Sequence, residues 1–243
     1  MSEYVGVDFG GTSIKAALVD VSTGQLLSAV KRVPTPAGGA PAPCLAAIQS
    51  LVSEWSAPVG VALPAVVRQG KTLTAANIDS AWLGFDAKTH LTQLLARPVV
   101  VLNDADAAGL AELHYGAAYG CQGTVLMLTF GTGIGSALFV NGVLWPNTEL
   151  GHLQLLDNSA EHIASGKART RDGLSFAQWA QRVERVLAEY QKLLWPDLVI
   201  VGGGVSEHFE QFAPLLPTSM PIIPAKLRQD AGIVGAAWAA AQP

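Results

Sequence analysis

The sequence predicts an α/β protein of two lobes, each a mixed β-sheet flanked by helices, around a cleft. Three observations predict it. Half of the 243 residues are hydrophobic and only 14% are charged, which supports a sizeable core and argues against disorder. Strand-like and helix-like runs alternate along the whole chain. The order of elements that opens the chain recurs halfway along it, with no low-complexity linker between the two halves.

Residues 4–33 hold three strand-like runs, YVGVDF, SIKAALVD and QLLSAVKRV, separated by the hairpin-type turns GGT and STG. A helix is predicted over about 41–55, followed by strand VGVALP and a polar connection through 68–90. Strand PVVVL and a helix over about 105–118 complete the first half. The second half opens alike, with GTVLMLTF, SALFV and VLW separated by GTGIG and NG. Setting DFGGTSIKAALVD (8–20) against TFGTGIGSALFVN (129–141) pairs Phe9 with Phe130, Gly10 with Gly131, Ala16 with Ala137 and Val19 with Val140. A helix over about 174–194, strand DLVIVG, a GGG cluster, helix SEHFEQFAPLL, strand PIIP and helix AGIVGAAWAAA follow. The expected lobes are 1–118 and 119–229, with 230–243 a closing helix that packs back on the first.

Composition narrows the function classes. A net charge of −4 argues against a general nucleic-acid binder. Cys44 and Cys121 are too few for a disulfide framework or a cysteine-based zinc site. The N-terminus has neither the basic region nor the apolar run of a signal peptide, and no uncharged apolar run reaches the ~20 residues that cross a bilayer. The expectation is a cytoplasmic protein without nucleic-acid or membrane partners.

Three glycine clusters stand out: Gly10-Gly11-Thr12, Gly131-Thr132-Gly133 and Gly202-Gly203-Gly204. Glycine lets backbone N–H groups approach an anion closely. A tight turn serving the sheet alone is the plain reading of any one cluster; two matching hairpins and a strand–GGG–helix unit in one chain favour phosphate binding. The first two clusters lead into strands, so the dinucleotide fingerprint fails on context. The third leads into a predicted helix and fits a ligand at its N-terminus. Asp8, ahead of the first turn, is placed to hold a magnesium ion through water or to accept turn amides. Lys15, in the following strand, reads as solvated.

The strand PVVVL ends in Asn103-Asp104, where ligands of open α/β sheets gather. Asp106 is sufficiently explained as an acid in the first helical turn, worth about 0.3–1 kcal/mol against the helix dipole. Asp104 has no such explanation and suits the base that takes a proton from an attacking hydroxyl. In PNTELGH, Glu149 and His152 share one face of a helical turn, and carboxylate, amide and imidazole together suit a neutral polyhydroxyl ligand.

Together, DFGGTSIKAALVD, LNDADAAG, LTFGTGIGSALF, PNTELGH, WPDLVIVGGGVS and LRQDAGIVGAA resemble the ROK group of sugar kinases, more narrowly its polyphosphate glucokinase branch, over nearly the whole chain. The resemblance implies the actin-like ATPase (ribonuclease H-like) fold and phosphoryl transfer from inorganic polyphosphate, ATP or both to the 6-hydroxyl of glucose, with mannose as a further acceptor. It implies Asp104 as catalytic base, and Asn103, Glu149, His152 and Asn77 as sugar ligands. Gly10, Gly11, Thr12 and Lys15 match the first phosphate loop, Gly131, Thr132 and Gly133 the second, and Gly202, Gly203 and Gly204 the nucleotide-side loop. Asp8 matches the metal-associated aspartate, with magnesium as the ion. A homodimer is expected.

Two departures qualify the match. LQLLDNSAEHIASGKART lacks the cysteine-rich zinc motif that most ROK proteins carry there, which supports the polyphosphate branch and predicts no zinc site; Glu161 stands in for a sugar-contacting glutamate of that region. Ala65 replaces the glycine usual beside the proline in ALPAVV, and either narrows the sugar pocket or stiffens the loop. Lys167, Arg169 and Arg171 form either a solvated face or a basic track for a polyanionic donor longer than ATP. An ATP-only hexose kinase is the nearest alternative. A sugar-sensing regulator would need a DNA-binding segment before residue 10, and a non-catalytic sugar-binding or assembly protein would not need the Asn103-Asp104 pair.

Overall fold

The glycine-punctuated runs at the start of each half fold as antiparallel meanders, and parallel strands extend each meander into a mixed sheet. The computed structural model describes residues 2–76, 78–155, 158–216 and 219–242. The chain forms two units, Met1–Tyr115 with Asp230–Pro243, and Gly116–Gln229.

In the first unit β1 (Glu3–Phe9) pairs antiparallel with β2 (Ser13–Asp20), which also pairs with β3 (Gln25–Leu26) and β4 (Lys31–Pro34). The expected single strand QLLSAVKRV is thus two short ones. Its break is filled by Ser28, whose hydroxyl accepts the Leu18 N–H at 3.0 Å in place of a ladder carbonyl. Helix α1 (Pro41–Leu51) stops before the predicted end, and the Arg97 guanidinium donates to the carbonyls of Val52 and Ala57, both at 3.1 Å, and of Trp55. Strand β5 (Val59–Leu63) lies parallel to β1, and β8 (Val99–Asn103) parallel to β5. The connection between them holds the hairpin β6 (Val67–Arg68) and β7 (Lys71–Thr72), and α2 (Ala87–Leu95), where no helix was expected. Helix α3 (Asp104–Tyr115) leaves β8 without an intervening loop.

The second unit repeats the plan. Strands β9 (Thr124–Phe130), β10 (Ile134–Val140) and β11 (Val143–Trp145) form the meander. The short antiparallel pair β12 (Gln154–Leu155) and β13 (Asn158–Ser159) precedes α4 (Ala160–Ala164), α5 (Gly166–Arg171) and α6 (Phe176–Leu194). Strand β14 (Leu198–Gly202) adds parallel to β9, and β15 (Ile222–Pro224) parallel to β14, with the one-turn α7 (Phe209–Phe212) between. The orders β3-β2-β1-β5-β8 and β11-β10-β9-β14-β15 carry the same succession of antiparallel and parallel pairings.

The repeat is real, but the ungapped alignment slips after the turn. Phe9 faces Ile14 across the first turn, whereas Phe130 faces Ile134, so the first turn is one residue longer. Beyond it Ala16 corresponds to Ser136 and Val19 to Phe139, all buried, while Val140 is 43% exposed. A one-residue slip swaps the faces of a strand, and the burial reveals it.

Each sheet buries apolar side chains against its own helices. In the first unit Val5, Val7, Phe9, Ile48, Leu63, Trp82 and Leu91 form the core. In the second, Trp179 of α6 packs on Phe130 and Phe212 at ring distances of 5.4 and 4.9 Å.

Helix α8 (Ala231–Ala240) completes the first unit through small residues. A Cβ added at Gly6 or Gly60 would lie 1.9 Å from the Ile233 carbonyl oxygen or 1.8 Å from that of Ala236, so α8 rests directly on the backbones of β1 and β5. Gly235 meets α3 in the same way, 1.7 Å from the Ala107 oxygen. Backbone cannot give way as a side chain tip does, so Gly235→Ala is expected to destabilise the protein by about 3 kcal/mol or more. Denaturant unfolding measures it, and a loss within about 0.5 kcal/mol would contradict this packing.

Candidate active site

The candidate site residues of the first unit share one edge of its sheet because β1, β5 and β8 are parallel. Cross-strand register sets Asp8 beside Ala62 and Leu63 beside Asn103, so the first glycine turn, the ALPA loop and the Asn103-Asp104 corner all lie at carboxyl ends of strands.

The corner is built by Asn103. Its side chain is 5% exposed; Oδ1 accepts the N–H groups of Ala105 at 2.8 Å and Asp106 at 3.0 Å, while Nδ2 donates to the Ala65 carbonyl at 3.2 Å. It caps the helix and ties the start of α3 to the ALPA loop. Asp104 opens α3 half-buried, with Oδ1 accepting the Ala105 N–H at 2.8 Å. Ala65 is buried, and its carbonyl anchors Asn103. Asp106 does lie in the first turn, but at 2% exposure it belongs to the packing and not to a solvated helix end.

Lys15 is not solvated as expected. It stands opposite Asp8 in the β1–β2 ladder and pairs with it at 3.2 Å, both side chains about four-fifths buried. The turn between them is pinned by Thr35, whose hydroxyl donates to the Gly10 carbonyl at 2.6 Å and whose N–H donates to that of Thr12 at 3.1 Å. Gly11 and Thr12 are exposed. The expected sugar ligand Asn77 lies outside the described residues.

In the second unit one strand carries both the Gly131–Gly133 turn and the ELGH segment. Gly131-Thr132-Gly133 closes with the Gly131 N–H donating to the Gly133 carbonyl at 3.0 Å and runs into β10. Ser136 of β10, buried, donates to the Thr148 carbonyl at 2.7 Å and accepts the Leu150 N–H at 3.1 Å, and the Thr148 hydroxyl donates to the Ser136 carbonyl at 3.0 Å. A Cβ on Gly151 would lie 2.2 Å from the Ile134 oxygen, so only glycine lets the ELGH segment sit this close. Tyr190 of α6 donates to the Leu150 carbonyl at 2.7 Å; burial, and then the Glu161 charge, push its hydroxyl well above the usual tyrosine range.

Held there, His152 stands between two carboxylates: Nδ1 is 3.7 Å from Glu149 and Nε2 is 3.6 Å from Glu161. Glu161 also reaches the Gly131–Gly133 turn, accepting the Ile134 N–H at 3.4 Å and filling the space beside Gly133, where a Cβ would lie 2.3 Å from its Oε2. Burial raises the Glu149 carboxyl above the usual glutamate range; His152 opposes this and the Glu161 charge adds to it.

The third cluster departs from expectation. After β14 the run SEHFEQFAPLL forms a 3-10 turn (Gly204–His208), α7 and another 3-10 turn (Ala213–Leu215) rather than one helix. The Ser206 hydroxyl folds back on the Gly203 carbonyl at 2.7 Å, and Pro214 lacks the N–H a continuous helix needs. The aligned dipole of a long helix is therefore not what Gly202–Gly204 offers an anion. Gly203 instead has a φ of 76° and lies against the Phe130 backbone, 2.7 Å from its oxygen at the Cβ position.

The three cations after the sugar segment occupy three different settings. Arg171 donates to both oxygens of Asp172 at 2.6 and 2.9 Å, and Arg182 joins them at 2.5 Å. The Arg171 bonds, then those of Arg182, hold the Asp172 carboxyl far below the usual range. The Arg169 guanidinium lies 3.8 Å from the Phe176 ring centroid. Lys167 is exposed, and its backbone N–H donates to the Gly131 carbonyl at 2.9 Å.

A model of the ROK family matches residues 4–171. The chain belongs to the ROK family. Among its relatives, the polyphosphate glucokinase of Mycobacterium tuberculosis is 44% identical over 237 residues, covering 96% of this chain and 89% of that one. The crystal structure of an inorganic polyphosphate/ATP-glucomannokinase from Arthrobacter sp. superposes with a TM-score of 0.96 at 46% identity, covering 99% of each chain. A ROK family glucokinase from Streptomyces griseus, solved with glucose and AMPPNP, gives 0.83 at 26% identity, covering 97% of this chain and 98% of that one. The fold is the actin-like ATPase fold of the ROK sugar kinases.

Ser136, Thr148, Tyr190 and Thr35 escaped sequence reasoning, though Ser136 and Tyr190 left a trace. Ser136 is a hydroxyl on the buried face of a strand, and Tyr190 ends the core stripe of α6 that runs through Trp179, Val183, Val186 and Leu187.

With Glu149 as the sugar ligand that the resemblance implies, a sugar hydroxyl would donate to its carboxylate more strongly than to its acid form. Because its folded pKa is raised, the sugar KM is expected to climb as pH falls through a value above the ordinary glutamate range. Glu149→Gln is expected to remove this inflection. A wild-type inflection in the ordinary range, or one that survives in Glu149→Gln, would contradict the assignment.

Proposed function

We propose that this protein is a hexose kinase that moves a phosphoryl group from inorganic polyphosphate or ATP to the 6-hydroxyl of glucose, with mannose as a further acceptor. The carrying observation is the β8–α3 corner, where Asn103 spends its side chain on backbone and leaves the Asp104 carboxylate at a strand end. Family membership and the 44% identical polyphosphate glucokinase support the activity and the donor.

In the proposed reaction Asp104 accepts the proton of the sugar 6-hydroxyl as that oxygen attacks the terminal phosphorus. The new P–O bond forms as the bond to the leaving phosphate breaks, and a shortened polyphosphate or ADP departs. Glu149, His152 and Glu161 hold the other hydroxyls, which fixes the attacking oxygen and supplies the rate advantage of orientation. The remaining Asn103 amide N–H and Asn77 complete the proposed sugar ligands. The N–H groups of Gly10–Thr12 and Gly131–Gly133 receive phosphate oxygens, and Gly202–Gly204 serve the nucleotide when ATP is the donor.

Magnesium suits the Asp8 carboxylate beside the first phosphate turn. Among the described residues no three His, Cys, Asp or Glu gather into a cage. Asp8 spends Oδ2 on Lys15, and Gly232 leaves room at Oδ1. Magnesium keeps several waters and binds through one or two carboxylates plus substrate phosphates, so a single Asp8 suits an ion that arrives with the donor. Bound there, it would neutralise charge on the donor oxygens. We take the working form to be a cytoplasmic homodimer; among the described residues no helix is long and apolar enough to cross a membrane.

The test pairs glucose or mannose with polyphosphate or ATP and follows hexose 6-phosphate. Product from ATP alone would make the protein an ATP-only hexose kinase. Asp104→Asn is expected to retain sugar binding by calorimetry and lose about 10²–10⁴-fold in turnover; near-normal turnover would remove Asp104 as the base.

A further inference from the structure

We infer that Lys167 is the donor-specificity residue of the second phosphate turn, binding a phosphate of a polyphosphate chain beyond the group transferred, and that Arg169 and Arg171 do not share this role. The inference rests on the polyphosphate reading above and deepens it by separating three cations that look equivalent in sequence.

The separation is geometric. Arg171 is spent: its Nε and Nη2 grip both oxygens of Asp172, and Nη2 also donates to the His162 carbonyl at 3.0 Å. With Arg182 on the same carboxylate and on the Ile163 carbonyl at 3.3 Å, this cluster ties α4, α5 and α6 together. An anion arriving there would compete with a carboxylate already held in bidentate geometry. Arg169 is half-buried, with one face of its guanidinium against Phe176 and its Nε enclosed.

Lys167 differs on each count. It is exposed, and among the described residues it forms no ion pair. Its main chain is bonded to the turn itself, at the Gly131 carbonyl, and neighbouring Gly166 is packed so closely that an added Cβ would lie 3.2 Å from that same oxygen. Ser165, buried and capping α5 by accepting the Ala168 N–H at 3.1 Å, fixes the backbone from the other side. A flexible ammonium is thereby rooted beside a phosphate turn. On its flexible four-carbon stem the ammonium can search the space around the turn, and three rotatable donors suit a chain of equivalent phosphates that can slide. Such a chain always presents a charge within that space; ATP ends in a nucleoside.

The test compares Lys167→Glu, Lys167→Arg and Arg171→Met with the wild type, using sodium polyphosphate of defined length and ATP with glucose as acceptor. Lys167→Glu is expected to raise the polyphosphate KM about tenfold or more at low salt and the ATP KM less than about threefold, with kcat nearly kept. Lys167→Arg restores the polyphosphate KM, and raising the salt narrows the gap. Arg171→Met is expected to keep the polyphosphate KM while unfolding at lower temperature. An unchanged polyphosphate KM in Lys167→Glu, or an equal rise in Arg171→Met, overturns the inference. A wild-type protein that makes no hexose 6-phosphate from polyphosphate fails the functional reading instead, so the two failures are distinguishable.

Discussion

The passage from β8 into α3 depends on one amide side chain. Strand and helix are contiguous, with no loop to absorb the change of direction, and the first helical N–H groups have no partners of their own. Asn103 supplies them with Oδ1 and uses Nδ2 to hold the Ala65 carbonyl. An aspartate would satisfy the cap but lack the donor; a leucine would satisfy neither. Asp104 follows immediately, so the backbone that Asn103 fixes also carries its carboxylate, whose Oδ1 accepts the Ala105 N–H. The small residues of α3 and α8 then lock the helix from its other side.

The second unit solves a related problem with a strand. Within three residues of β10, the Ile134 N–H reaches Glu161, the Ile134 carbonyl meets Gly151, and Ser136 holds Thr148 and Leu150. The Gly131–Gly133 turn and the ELGH segment are thereby fixed to the same short backbone. His152 standing between Glu149 and Glu161 follows from that fixation, since each of the three side chains comes from a segment docked on β10 or packed beside it.

Much of this was legible because it is written locally. Glycine-bounded apolar runs gave both meanders, and Asn103-Asp104 at the end of an apolar run marked the corner. What escaped was written in tertiary pairings. The break between β3 and β4 comes from Ser28 meeting Leu18, and the pairing of Lys15 with Asp8 comes from a register that residue type alone does not show. Helix α2 was readable in principle: Asp86 caps it by accepting the Thr89 N–H at 3.0 Å, and Ala96 ends it in the left-handed conformation before Pro98. The SEHFEQFAPLL run looked helical because its apolar spacing suits a helix, but Pro214 and the back-bonded Ser206 outweigh that pattern. The Lys167, Arg169 and Arg171 triplet is the clearest limit: identical charge in sequence, three different partners in space.

The claim that Asn103 acts by holding Asp104 is tested most directly by steady-state kinetics of Asn103→Ala, with thermal unfolding to verify the fold. A displacement of about 1 Å at a catalytic group costs up to about 10²-fold, so the account predicts a folded variant whose kcat drops at least about tenfold, in addition to the rise in sugar KM from the lost amide contact. A folded variant with wild-type kcat and a raised sugar KM would contradict it, making Asn103 a sugar ligand and nothing more.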